Sequence, residues 1–299
     1  LWSYSNSAYW VAGAVAARVA GIPYEEAARK LVLGPAGLRS TAFEPTDISD
    51  GHRAVGTIVR PGREDRAAGI EYPRVRRPSG GLWTTAADLL RFADAVIAER
   101  PPVGRAIMQS ALTPTVAGVG TTRWGAGWRV LPHLGAIGHT GTYGGFESEM
   151  TIVPERRVAC VAFGNSSHSA AAVRQITSMV LESLGVPASV PAGRAEPPPA
   201  QLERLAGWYL QPEQAAEVTV VGRKLRVRAF DYDWRRRKYD AEEEALASPA
   251  GGTTFDIESG PRGGTQFDFV VRRDGSVRFL RFDERVAEPV DTVPDVLRV

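Results

Sequence analysis

The chain has 299 residues, of which 43% are hydrophobic and 23% are charged, and its formal net charge is only +2. This apolar content suffices for a packed core and excludes disorder for most of the chain. The most apolar stretch, Trp10 to Ala20, is too short to cross a bilayer and is interrupted by Arg18. Basic and acidic residues are balanced along the chain, so neither a nucleic acid nor an acidic membrane surface is favoured as a partner.

Helical signals come first in chain order. We predict helices over residues 7–20, from 23 onward, over 85–98 and over 169–184. Gly21 follows the first of these, as is typical of a helix C-terminus. Thr85 and Asp88 have the spacing of a capping box at the start of the third.

Strand signals follow the third helix. We predict strands over residues 125–131, 146–153 and 157–163, the last two joined by a hairpin turn at Pro154-Glu155. Helices followed by antiparallel strands and a closing helix indicate an α/β or α+β unit of enzyme size. We therefore assign residues 1–185 to one domain.

A proline-rich stretch divides the chain. Residues 186–200 contain five prolines, which predicts an extended linker that forms neither a helix nor a central strand. Residues 201–299 carry mostly strand signals, including hairpin turns at Gly222-Arg223 and Asp274-Gly275. This C-terminal region is predicted to be a small antiparallel barrel or sandwich.

Two short motifs stand out as candidates for chemistry. Tyr4-Ser5-Asn6 immediately precedes the first helix, and His139-Thr140-Gly141 lies in a glycine-rich segment that we interpret as a turn leading into the strand at 146–153. Taken singly, each motif is better explained structurally, as a helix-capping Asn and a turn histidine. No histidine pair has metal-ligand spacing, and no Gly-x-Ser-x-Gly elbow is present.

Together with their flanks, the two motifs resemble the serine β-lactamase-related hydrolases, which include class C β-lactamases, D,D-peptidases, D-aminopeptidases and esterases. The family usually has Leu and Met where this chain has Ala36 and Leu38. The resemblance covers about residues 1–185. It rests on seven ordered segments: 4–10, 19–24, 34–41, 80–89, 124–128, 138–146 and 165–166.

The resemblance implies a β-lactamase/transpeptidase-like domain that works by acyl transfer, with no cofactor, on a small-molecule, peptide or ester substrate. Tyr4 would be the general base and acid, and Asn6 would hydrogen-bond the substrate and a catalytic lysine. His139, Thr140 and Gly141 would line the opposite wall, and the backbone N–H of Thr142 would be an oxyanion-hole donor. The barrel region is similar only in kind to the appendages of many family members.

The nucleophile motif of that family, Ser-x-x-Lys, is missing. The residues three before the three lysines are Ala27, Val221 and Arg235. Because the motif precedes Tyr-x-Asn in the family and the chain starts at Leu1, we expect an N-terminally incomplete catalytic domain. The chain alone is predicted to be inactive by this mechanism. Two interpretations stay open, a piece of a longer enzyme and a non-catalytic binding or regulatory module of the same fold.

His139 also bears on the substrate. Many family members have a lysine there, a fixed charge that faces a substrate carboxylate. A histidine with an ordinary pKa near 6.5 is mostly neutral at pH 7. We therefore expect esters, or peptides recognised without a free carboxylate. The resemblance is compatible with export, whereas the sequence leaves localisation and oligomeric state open.

Overall fold

The computed structural model describes residues 2–48, 53–60, 63–66, 72–187, 197–233, 238–260 and 262–291. The chain divides into two compact units. The first, here called the mixed unit, takes the described residues between 5 and 116 and those of 122–187. The second, the barrel unit, takes residues 2–4, 117–121 and the described residues from 197 onward. Each unit has its own hydrophobic core.

The helices of the mixed unit lie close to the predicted positions. They are α1 (Asn6–Ala20), α2 (Tyr24–Ala28), α3 (Ala86–Ile97), α4 (Arg105–Leu112) and α5 (Ala170–Ser183). A π-helical turn over Arg29–Leu33 continues α2. The predicted end of α1 is confirmed, since Gly21 has a φ of 67° and its N–H caps carbonyls of the last turn. No sequence signal pointed to α4.

The start of α3 differs from the predicted capping box. The hydroxyl of Thr85 does accept a hydrogen bond from the N–H of Asp88, at 3.1 Å. The fully buried carboxylate of Asp88 accepts instead from the N–H of Ser40, at 2.7 Å, and from the hydroxyl of Thr41, at 2.8 Å. Asp88 therefore ties the segment after α2 to α3. A local spacing rule could not reveal this long-range bond.

Six strands form a sheet whose residues belong to the mixed unit except for Ala117. A separate pair, β1 (Thr57–Arg60) and β2 (Arg63–Arg66), lies outside this sheet. In spatial order the six are β3 (Val116–Ala117), β4 (Arg123–Trp124), β5 (Arg129–Leu131), β6 (Ala136–Tyr143), β7 (Phe146–Val153) and β8 (Val158–Gly164). The prediction for β7 is confirmed. The strand predicted over 125–131 is too long, because the observed strand begins at Arg129. Residues 125–128 form a loop that is closed by a hydrogen bond from the N–H of Gly125 to the carbonyl of Trp128.

The placement of His139, Thr140 and Gly141 in a turn is wrong. All three lie within β6, and the reversal of the chain comes later, between Tyr143 and Phe146. The two turn residues, Gly144 and Gly145, have φ values of 60° and 80°. A two-residue hairpin needs such left-handed conformations, which glycine adopts without strain. The segment 138–145 contains four glycines, and the sequence alone does not show which two of them form the turn.

Helices cover both faces of the sheet. Side chains of α3 and α4 pack with Val130, Ile137 and Ile152 on one face. Leu181 of α5 packs with Ala136, Val153 and Cys160 on the other. Successive strand residues point to opposite faces, so Ala136 and Ile137 belong to different cores. The mixed unit is thus a layered α/β structure around an antiparallel sheet.

The barrel unit is a closed antiparallel barrel, and the alternative of a sandwich is wrong. Its strands are β9 (Gly207–Gln211), β10 (Gln214–Val221), β11 (Lys224–Asp233), β12 (Lys238–Gly251), β13 (Thr254–Ile257), β14 (Gln266–Val271), β15 (Val277–Phe282) and β16 (Arg285–Val290). β16 pairs with β9 and completes the closure. Closure removes the unpaired edges that a sandwich would leave.

Two sequence signals near the barrel need correction. The turn at Asp274-Gly275 is longer than two residues, because the N–H of Arg272 bonds the carbonyl of Ser276 and the last strand pair is Val271 with Val277. The predicted linker does not stay extended to its end, since a sixth helix, α6, spans Pro199–Leu205. Proline is tolerated in the first turn of a helix, where its missing N–H has no intrahelical partner. Residues 188–196 of the predicted linker lie outside the described residues.

Candidate active site

Strand β6 carries four of the six predicted site residues. His139 is partly buried, whereas Thr140, Gly141 and Thr142 are exposed. β5 pairs with β6 only from Ala136 to Gly138, so β5 does not cover this side of the strand beyond residue 138. Since N–H groups of a strand point alternately to its two sides, this open edge of β6 offers hydrogen-bond donors to a ligand.

His139 has a defined ring environment. Its Nδ1 lies 2.5 Å from the carbonyl oxygen of Thr140, and its ring meets the indole of Trp124 edge-on at a centroid distance of 5.6 Å. A carbonyl oxygen only accepts, so Nδ1 carries the proton and Nε2 of the neutral ring is an acceptor. Burial lowers the pKa of His139, the Thr140 carbonyl opposes this, and Arg129 adds to the lowering. The imidazole is therefore neutral at pH 7.

Two buried glutamates lie on β7, opposite the predicted site residues. Glu147 pairs with Thr142 and Glu149 with Thr140 in the β6–β7 register. The Thr142 hydroxyl donates to Glu147 at 2.6 Å, and the guanidinium of Arg129 donates to Glu149 at 2.7 Å. The second oxygen of Glu149 has no hydrogen-bond partner among the described residues. Sequence reasoning missed both glutamates, because alternating glutamates on a strand suggest a solvent-facing side.

At the other candidate segment, Asn6 begins α1. The hydroxyl of Ser5 caps this helix by accepting from the N–H of Ala8 at 3.3 Å. One turn later, the indole N–H of Trp10 donates to the hydroxyl of Ser79 at 2.8 Å. The first turns of α1 are therefore anchored to the segment that precedes α3.

Tyr72 connects this anchor to the end of β6. Its hydroxyl lies 3.1 Å from that of Ser79, and its ring meets Tyr143 edge-on at 4.6 Å. A Cβ atom on Gly81 would come within 2.5 Å of the Tyr72 ring, so only glycine permits this packing. Gly81 belongs to segment 80–89 of the family resemblance, whereas no sequence signal points to Tyr72.

Tyr4 belongs to a different compact unit from the other predicted site residues. It belongs to the barrel unit, where its N–H donates to the carbonyl of Glu284 at 3.0 Å. Asn6, His139 and the residues up to Thr142 belong to the mixed unit. A shared site that joins Tyr4 with His139 stays a prediction.

Within the described ranges, no group of three or more His, Cys, Asp or Glu side chains is arranged to hold a metal ion. Among the same residues, no helix has the length and apolar character to span a bilayer.

The comparison with protein families identifies the chain. The model of the Beta-lactamase family matches residues 1–182, which is more than half of the sequence. The chain belongs to the Beta-lactamase family. This confirms the resemblance drawn from Tyr4-Ser5-Asn6, His139-Thr140-Gly141 and their flanks.

Individual relatives extend this result. Penicillin-binding protein 4 of Amycolatopsis lactamdurans is 28% identical in an alignment of 227 residues that covers 69% of this chain and 59% of that protein. This Beta-lactamase family chain thus spans under two thirds of that relative's length. The crystal structure of SurE with D-Leu has a TM-score of 0.64 at 20% identity over 97% of this chain and 68% of that one. A class C beta-lactamase has a TM-score of 0.51 at 20% identity, over 60% and 57% of the two chains. The fold is therefore β-lactamase/transpeptidase-like, with a barrel appended.

Proposed function

We propose that the full-length protein is a serine hydrolase that cleaves ester or amide bonds by acyl transfer. Tyr4 acts as general base and acid, Asn6 hydrogen-bonds the substrate, and the open edge of β6 binds the acyl group. The nucleophile is the serine of a Ser-x-x-Lys motif outside these 299 residues, which contain no such motif. Covalent acyl transfer of this kind requires no cofactor.

The open edge of β6 is the observation that carries this proposal. Thr140 to Thr142 are exposed beside His139, and β5 does not pair with them. An extended acyl chain can lie along such an edge, and a backbone N–H at Thr142 would stabilise a developing oxyanion. Glu147 supports this end of the strand by accepting the hydrogen bond of the Thr142 hydroxyl.

The state of His139 supports a preference among substrates. A neutral imidazole with its proton on Nδ1 presents an acceptor at Nε2 and no fixed positive charge. Such a group binds a substrate carboxylate weakly and suits a neutral hydrogen-bond donor better. We therefore propose esters, or peptides with a blocked or distant carboxylate, as the preferred substrates.

The direct test is active-site labelling of the full-length protein. We expect intact-mass analysis after a fluorophosphonate probe to show one adduct, and peptide mapping to place it on the serine of a Ser-x-x-Lys motif. The same protein should hydrolyse a p-nitrophenyl ester. Efficient penicillin turnover with a low KM would overturn the substrate preference and leave the acyl-transfer mechanism standing.

The second candidate is a binding or regulatory module. It requires no nucleophile, and the 299 residues contain no Ser-x-x-Lys motif. Such a module would hold a peptide or ester at β6 without cleaving it. A full-length protein with no labelled serine that nevertheless binds an ester analogue in calorimetry would establish the binding module and overturn the enzyme.

A further inference from the structure

The turn between β15 and β16 has an unusual backbone. Phe282 pairs with Arg285, so the loop consists of only Asp283 and Glu284. Both residues have positive φ values, 48° and 61°. A tight hairpin turn needs this conformation, yet Asn-Gly or Asp-Gly is the usual choice, and a glutamate there is strained. A strained turn persists when its surroundings fix it.

A partly buried network of side chains holds this turn. The Asp283 carboxylate accepts from Nε of Arg262 at 3.0 Å and from the amide of Gln214 at 3.4 Å. Arg262 also pairs with Glu243, and its guanidinium lies 5.2 Å from the ring centroid of Phe282. With 18% of its side chain exposed, Arg262 is held from several sides. The Asp283 end of the turn is therefore rigid.

The same turn holds the chain segment that contains Tyr4. The N–H of Tyr4 donates to the carbonyl of Glu284 at 3.0 Å, and the N–H of Val286 donates to the hydroxyl of Ser3 at 3.3 Å. The guanidinium of Arg285 lies 5.6 Å from the centroid of the Tyr4 ring. The backbone of Tyr4 thus contacts the turn, and its ring contacts Arg285, the first residue of β16.

We propose that this barrel turn positions the catalytic tyrosine and that Arg285 is a positioning residue for its ring. The chain of contacts runs from Arg262 through Asp283 and the turn backbone to Tyr4. Arg285 also forms a long ion pair with the exposed Glu213, at 4.0 Å. The inference rests on the proposed function for the catalytic role of Tyr4 and extends it by giving the barrel a part in the reaction.

The physical reason lies in how sharply proton transfer depends on geometry. A general base acts only within hydrogen-bond reach of the proton that it takes. Tyr4 precedes the cap of α1, so the hydrogen bonds of that helix do not fix its ring. A cation over the ring face favours one ring orientation, and the Glu284 carbonyl fixes the backbone. Together they supply the support that a catalytic side chain needs from its neighbours.

The test compares two arginines of the barrel in the full-length protein. Arg285→Met removes the cation beside Tyr4 and keeps much of the side-chain volume. Arg278→Met is the matched control, because Arg278 lies over the ring of Phe279 at 5.2 Å on the neighbouring strand β15. Arg285→Lys keeps a cation at this position, and its kcat should be closer to that of the wild type than the kcat of Arg285→Met. Each variant is assayed for p-nitrophenyl ester hydrolysis and by 19F NMR with 3-fluorotyrosine at position 4.

We expect Arg285→Met to lower kcat about tenfold with KM within about twofold, and to move the fluorine signal of residue 4. Arg278→Met should change neither. An unmoved fluorine signal in Arg285→Met, or an equal loss of kcat in both variants, would overturn the positioning role. If the signal moves in a protein that hydrolyses no ester, the Arg285–Tyr4 contact stands and the proposed function fails. Amide exchange at residue 4 that is unprotected in the wild type would overturn the contact with Glu284.

Discussion

The hydroxyl of Thr142 donates a 2.6 Å hydrogen bond to the buried carboxylate of Glu147, directly across the β6–β7 hairpin. Thr142 is exposed, whereas Glu147 is only 7% exposed. Thr142, whose backbone N–H we propose as a donor to the substrate, is thus held by a hydrogen bond to a buried acid. This pair links the stability of the hairpin to the geometry of the candidate site.

Thr142→Val tests the pair. The substitution keeps the shape of the side chain and removes a hydrogen bond to a buried carboxylate. We expect the free energy of unfolding to fall by about 2 kcal/mol, measured by urea denaturation. Thr142→Ser retains the hydroxyl and should stay within about 0.5 kcal/mol of the wild type. A loss of stability in Thr142→Ser with none in Thr142→Val would mean that the methyl group, and not the hydrogen bond, stabilises the hairpin.

A second prediction concerns the packing of Tyr72 on Gly81. Gly81 has a φ of 79°, and a Cβ there would lie 2.5 Å from the Tyr72 ring, close to its attachment point, where the side chain cannot yield. Gly81→Ala should therefore cost about 3 kcal/mol, the sum of strain and overpacking. Gly21→Ala, at a φ of 67° with open space around it, should cost only about 1 kcal/mol. Similar losses of stability in Gly81→Ala and Gly21→Ala would mean that the clash with Tyr72 does not contribute to the destabilisation.

The lowered pKa of His139 predicts a pH dependence of stability. The unfolded chain binds a proton at His139 near its ordinary pKa of about 6.5, whereas burial makes the folded chain bind it only at lower pH. The stabilising contribution is therefore complete above about pH 6.5 and is lost as the pH falls through the folded-state pKa. Urea denaturation at pH 7, 6 and 5 should show a smaller loss for His139→Gln than for the wild type. His168→Gln, a change at an exposed histidine, is the control, and an identical pH dependence in all three proteins would contradict the account.

The strained turn of the barrel gives a fourth prediction. Glu284 has a φ of 61°, which glycine adopts without strain. Glu284→Gly should raise the free energy of unfolding of the barrel by about 1 kcal/mol, measured by thermal denaturation. Arg285→Gly, at a strand position outside the turn, is the control and should be destabilising. A loss of stability in Glu284→Gly would mean that the glutamate side chain contributes more than its backbone strain costs.

Local sequence signals predicted much of the fold. The ends of α1 and α3, strand β7 and the hairpin at Gly222-Arg223 follow from capping residues, alternation and turn chemistry, all of which act within a few residues. Closure of the barrel could not be decided this way, because it depends on the pairing of β16 with β9. The prediction that His139 lies in a turn was wrong because this segment contains several glycines, and the sequence does not show which of them form the hairpin turn.

The candidate site was predictable only in part. The motifs at Tyr4 and His139 carry a family resemblance that the matched family model confirms. Tyr72, Glu147 and Glu149 have no such signal, because their roles come from contacts with residues on other elements. The same holds for Arg285, whose contact with Tyr4 joins residues 281 positions apart in the sequence.

The most direct test of the central claim is the acylation rate of the full-length protein and its Tyr4→Phe variant, measured by stopped flow with a p-nitrophenyl ester. Tyr9→Phe, which removes the hydroxyl of a half-exposed tyrosine in α1, is the control. If Tyr4 is the general base, Tyr4→Phe slows acylation by a factor on the order of 100 or more, and Tyr9→Phe leaves it unchanged. An acylation rate in Tyr4→Phe equal to that of the wild type would contradict the assignment of the catalytic base.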